Sequence, residues 1–184
     1  MKNKTFSTQN IVLMAMFVAL IAICSWISIP LGPVPFTLQT FGVFITAGVL
    51  GFKRGTISVV AYVLLGTIGV PVFAGFSGGI GSIVGPTGGY KIGFIFTAII
   101  IGLVVDYVKI SKGFVKLLVV IVGMVIGDAV CFVIGTIQFM YVSDTNLATA
   151  LSYCVIPFII PDLVKIVIAA VVSDRLKNSV KLLN

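Results

Sequence analysis

The sequence predicts an all-α integral membrane protein: a single domain over residues 1–184, six transmembrane helices, and both termini in the cytoplasm. Three observations lead there. Hydrophobic residues make up 59% of the chain and charged ones 9%, with a mean hydropathy of +1.26. A soluble domain has too little polar surface to cover such a composition. Apolar runs of near-spanning length fall at about 9–29, 36–52, 55–70, 91–108, 117–141 and 155–173. Finally, Lys2, Lys4, Lys53, Arg54, Lys109, Lys112, Lys116, Arg175, Lys177 and Lys181 all fall on one side of a six-helix trace, ten of the 12 basic residues. The positive-inside rule makes that side cytoplasmic.

Each segment has its own justification. The first run follows Lys2 and Lys4 but continues through Trp26 to Ile29 without a small-residue cleavage pattern, so it is predicted to be a retained helix. The second and third runs are separated by Lys53 and Arg54. The third and fourth fall short of the ~20 residues of a straight span, which implies a different tilt or extension by flanking residues. The fifth contains Asp128, and the sixth contains Pro161, Asp162 and Lys165. Pro161 predicts a break or a fresh helical start just before Asp162.

Two outer connections stand out. Pro30-Leu-Gly-Pro-Val-Pro35 removes three amide donors and stiffens the entry into Phe36-Thr-Leu-Gln-Thr40. The stretch from Pro71 to Tyr90 carries glycines at 75, 78, 79, 81, 85, 88 and 89. Its Phe73, Phe76, Ile80, Ile83 and Val84 predict a loop that folds back onto protein and bears a binding surface. Gly85-Pro-Thr-Gly-Gly-Tyr-Lys91 is not a phosphate loop, since Tyr90 and Ile92 occupy the positions flanking the lysine that such a loop reserves for Gly and Ser or Thr. Its amides and single cation suit an anionic group.

Several functions are excluded or disfavoured. With no histidine and no glutamate, metal sites and His-based acid/base chemistry are hard to build, so neither a metal, a catalytic residue nor an enzyme activity is expected. The net charge of +7 occurs as small clusters flanking the spans, which reads as topology determinants facing lipid headgroups rather than a nucleic-acid surface. Cys24, Cys131 and Cys154 lack any CxxC spacing and are expected to pack as apolar residues. Asp162 and Lys165 are then the placement that needs explaining. An ionised group near a bilayer centre costs about 2.5 to 3.5 kcal/mol, and at i and i+3 the two side chains share one helix face. They face either a ligand or simply each other. Asp128 either lines a cavity or bonds to a neighbouring helix.

PVPFTLQTFGVF at 33–44, LGTIGVPVFAGFSGGIGSIVGPTGGYKIGF at 65–94 and PFIIPDLVKI at 157–166 together resemble the BioY family, the biotin-binding S components of energy-coupling factor transporters. The likeness covers nearly the whole chain in the same order. It implies a prokaryotic cell-membrane subunit that captures biotin from outside, with biotin as transported ligand and no cofactor. It further implies a transmembrane coupling subunit and two cytoplasmic ATPases as partners, and docking on the coupling subunit through Ala15 and Ala19, small residues that let helices approach closely.

For biotin, the resemblance implies Asp162 as acceptor from a ureido N–H and Lys165 as donor to the ureido oxygen or the carboxylate. Gln39, with an amide that donates and accepts, Phe36 and Phe41 would meet the ring, and Tyr90, Lys91, Gly88 and Gly89 the carboxylate. Asp128 is a further candidate. Phe132 and Gln138 depart from the family, which has Tyr and Trp where they align. Two alternatives keep the membrane architecture: a self-sufficient secondary transporter of biotin or another small carboxylate, and an S component for a different vitamin.

Overall fold

The computed structural model describes residues 7–30, 32–107 and 113–181, the last four of these as backbone only. Five helices are long and apolar enough to cross a membrane. One of them is folded in two, which brings the spans to the expected six.

Helix α1, Thr8–Trp26, starts where the Ser7 hydroxyl accepts from the Asn10 amide. A two-residue ribbon follows, β1 (Ser28–Ile29) antiparallel to β2 (Phe36–Thr37), with Ser28 opposite Thr37. The proline-rich connection is the turn of this ribbon. Helix α2, Gln39–Thr67, then reverses at Gly51, whose φ of 74° and ψ of −169° are open only to glycine. Gln39 Nε2 donates to Tyr62 Oη at 2.6 Å across 23 residues, a separation that would span about 34 Å along an unbroken helix. The two arms are therefore antiparallel. They correspond to the second and third expected spans, except that the second begins at Gln39 because Phe36 and Thr37 belong to the ribbon.

The first arm of α2 is the centre of the molecule. Every residue from Gly42 to Gly51 is buried, as expected of a helix that is apolar all round. Gly42 lies against Ile21 and Cys24 of α1, and Gly48 against Ser173. The chain continues through a 3-10 turn (Ala74–Phe76) and the short helix α3 (Ile80–Val84) into α4 (Gly88–Tyr107) and α5 (Phe114–Ser143). Helices α4 and α5 pack closely because Gly93 meets Cys131 and Gly127 meets Thr97 without intervening side chains. The short α6 (Leu147–Cys154) precedes α7 (Ile156–Lys181).

The expected start at Pro161 is corrected here. The chain breaks at Val155 (φ −124°, ψ −58°), and α7 runs continuously through Pro161. Proline forfeits one backbone bond within a helix but does not by itself end it. Phe158, Asp162, Lys165, Ile166, Ala169, Ala170 and Ser173 form its buried stripe at helical spacing.

The two ends of the bundle differ. At one, Asp106 Oδ2 accepts from the Phe52 amide at 2.8 Å, capping the second arm of α2, while Lys177 pairs with Asp106 and Lys116 with Asp174. Arg54 Nη1 donates to Asn10 Oδ1 at 2.8 Å. This is the cytoplasmic end by the positive-inside rule; Lys2, Lys4, Lys109 and Lys112, and the Lys181 side chain, lie outside the described residues. At the other end the glycine-rich segment folds back only in part. Phe73 is fully buried, edge-on to Tyr62 at 5.5 Å, and Ile83 is half-buried. Phe76, Ile80 and Val84 instead face outward, with Phe76 stacked on Trp26 at 5.1 Å. All three cysteines are buried free thiols.

Candidate ligand-binding site

At the outer end, the ribbon, the start of α2, the glycine-rich segment and helices α4 to α7 enclose a cavity of about 140 Å³. Its polar groups form two clusters. In the first, Lys165 Nζ lies 2.7 Å from Asp162 Oδ1 and donates to the Thr37 carbonyl at 2.7 Å and to Thr40 Oγ1 at 3.2 Å. Thr40 Oγ1 in turn reaches Asp162 Oδ1 at 3.4 Å. The pair is buried, with Asp162 3% and Lys165 7% exposed. Breaking such a pair is costly once both charges have left water, and the threonine and carbonyl contacts satisfy what remains of the ammonium. Lys165 Nζ also sits 4.2 Å from the centre of the Phe36 ring, which stacks on Phe158 at 6.3 Å.

Gln39 adjoins this cluster. Its amide is oriented by Tyr62 Oη, which itself donates to the Val72 carbonyl at 2.9 Å. The second cluster is Lys91, buried on α4 and donating to the Ser82 carbonyl at 3.0 Å and Thr87 Oγ1 at 3.1 Å. It lies 5.0 Å from the Phe73 ring centre. Among the described residues Lys91 pairs with no carboxylate. Between the clusters, Val34, Tyr90, Phe94, Phe132, Cys154 and Phe158 supply an apolar wall. A compact ring with polar edges and an anionic end matches this division of surface.

Of the residues singled out in the sequence, Asp162, Lys165, Gln39, Tyr90 and Lys91 line the cavity, and Phe36 lies just behind Lys165. The others are not brought there. Phe41 packs against the main core: two positions beyond Gln39 on a helix, it points to the opposite side. Gly88 and Gly89 are buried against Ile83, Ile134 and Gly135, and the Gly88 amide is engaged by the Gly85 carbonyl. Asp128, buried on α5, lines an apolar groove rather than the cavity, within electrostatic reach of Asp162 and Lys165. Gln138 secures the glycine-rich segment instead, donating to the Ile83 and Gly85 carbonyls at 2.6 and 2.9 Å.

The sequence reading missed Thr37 and Thr40, which sit beside Gln39 in the same short stretch, and the Cys154 and Phe158 wall, which depends on α6 folding back. The first could have been found from spacing, since Gln39 and Thr40 are adjacent on the first turn of α2. Nothing in the local sequence marks the second.

Comparison with known proteins places this geometry. The family model described as BioY matches residues 1–182. A biotin transporter BioY from Thermotoga maritima is 45% identical over 171 residues, covering 92% of this chain and 96% of that one. A probable biotin transporter BioY from Pyrococcus horikoshii is 41% identical over 171 residues, 93% and 98% of the two chains. The crystal structure of an S-component for biotin from an ECF-type ABC transporter superposes with a TM-score of 0.85 at 35% identity, covering 97% of this chain and 95% of that one. Sequence along nearly its whole length and the overall shape of the bundle agree: the chain belongs to the BioY family.

Proposed function

We propose that the chain is the substrate-capture subunit of an energy-coupling factor transporter and takes up biotin from the outer face of the membrane. The observation that carries this reading is the pairing, in one outer cavity, of the Asp162–Lys165 cluster with Lys91 across an apolar wall. Each polar group of biotin then has a counterpart, as burial requires. Asp162 accepts from a ureido N–H, and Gln39 supplements it with an amide that can donate or accept.

Lys165 is already neutralised by Asp162, which suits it to the ureido oxygen. Lys91 has no carboxylate partner among the described residues, which suits it to the biotin carboxylate. Tyr90, on the cavity wall, supports the ring, and Phe36 backs Lys165. Where import is driven by ATP, hydrolysis resides on ATPase subunits coupled to this chain, which itself carries no Walker lysine. Ala15 and Ala19 are exposed on α1, which supports docking there over packing within the subunit.

Mass spectrometry of the purified protein should find biotin at one per chain; a different compound at that stoichiometry overturns the substrate. Asp162→Asn and Lys165→Ala should each weaken biotin binding at least ~10-fold by titration calorimetry while the chain stays folded, a loss typical of one charged hydrogen bond. Unchanged affinity in both removes the pair from the site.

A further inference from the structure

Phe132 belongs to two walls. On its inner side it closes the outer cavity together with Tyr90 and Phe94. On its other side it lines a larger apolar groove of about 470 Å³ between α5 and the α6–α7 pair. No other described residue lines both. The groove is open to the membrane, since Val133, Leu151 and Leu163 in its walls are exposed. Its single carboxyl, Asp128, lies one turn of α5 from Phe132. Phe132 itself is half-buried and packs with the cluster of Phe139, Cys154 and Phe158.

We propose that Phe132 is a specificity-determining residue: its ring is the partition that closes the cavity off from the lipid-facing groove and so sets the largest ligand the site accepts. This rests on the reading of the cavity as the biotin site. The cavity is small, and behind Phe132 lies a larger apolar space, so removal of the ring opens room for added ligand bulk in that direction. With the ring in place, an extra alkyl group meets a packed wall, and overpacking is unfavourable. With the ring removed, the same group enters apolar space, where each methylene withdrawn from water gains about fourfold in affinity.

The test compares wild type, Phe132→Ala and Phe132→Leu in lipid nanodiscs by titration calorimetry. The ligands are biotin and two derivatives carrying an added propyl group, one on the tail and one on a ureido nitrogen. The quantity read is each derivative's affinity relative to biotin for the same protein, which cancels any general loss of binding. Removal of the ring should raise that ratio at least ~10-fold for one of the derivatives, since three methylenes fully withdrawn from water at about fourfold each would give roughly 60-fold. Phe132→Leu should give an intermediate rise, and it carries the test if the alanine variant does not fold. Ratios within twofold of wild type for both derivatives overturn the partition. Absence of biotin binding by the wild type would instead overturn the reading of the cavity itself.

Discussion

At φ 74° and ψ −169°, Gly51 occupies backbone space from which a Cβ is excluded, and the carboxylate of Asp106 fills the volume a side chain would need. Gly51→Ala should therefore destabilise the protein by about 1–3 kcal/mol, read as a lowered thermal unfolding midpoint in detergent; an unchanged midpoint would mean the reversal tolerates a side chain. The same scale explains which site residues the sequence revealed. Asp162 and Lys165 were legible because charge in an apolar run is costly enough to demand a reason. Gln39 was legible as an uncharged amide at the inner side of the proline-rich connection, able both to donate and to accept. Phe41 was not, because two residues along a helix turn a side chain to the far side, and composition carries no such angle. Asp128 carries the same signal as Asp162 yet lines the groove beyond Phe132, a distinction made by the partner helices rather than by its own segment.

Among the elements, α1 and the glycine-rich segment are joined more tightly than their sequences suggest. Ser25 Oγ donates to the buried Val72 carbonyl at 2.6 Å, Tyr62 Oη donates to the same oxygen, and Trp26 Nε1 bonds the Pro71 carbonyl at 2.9 Å. Tyr62 also orients Gln39, so the end of α1 and the cavity share one hydrogen-bonded carbonyl. Ser25→Ala or Tyr62→Phe alone leaves Val72 one side-chain donor, whereas the double variant leaves a buried carbonyl without either. In a double-mutant cycle the combined loss of stability should exceed the sum of the single losses by about 1 kcal/mol; strict additivity would show that the two donors act independently. The apolar runs announced these helices well. They did not announce α6, whose eight residues are too few to form a span of their own, nor the break at Val155, although Pro157 in the first turn of α7 is a helix-start signal.

For the whole molecule, the division is between an outer end that holds a cavity and a face of α1 that encloses nothing. Ile11, Val12, Met16 and Ile23 are exposed along with Ala15 and Ala19, a stripe whose small residues lie four apart. On the proposed function, Ala15→Trp and Ala19→Trp should leave biotin binding by the isolated chain intact. Cellular uptake in the presence of the coupling subunit and ATPases should fall at least ~10-fold, because close helix approach needs small side chains. Normal uptake by both variants would place docking elsewhere.

The buried first arm of α2 has a consequence for the membranes in which such a chain can work. Gln39 and Thr40, which line the cavity, open an arm whose residues 42–51 lipid does not touch. A thicker or thinner bilayer acts by tilting or stretching lipid-facing helices. That adjustment falls on the outer faces of α1 and α5, while the arm beneath the cavity answers only to its protein neighbours. The part of the cavity carried by Gln39 and Thr40 is thereby insulated from the acyl-chain length of the host membrane, whereas the Phe132 wall on α5 is not.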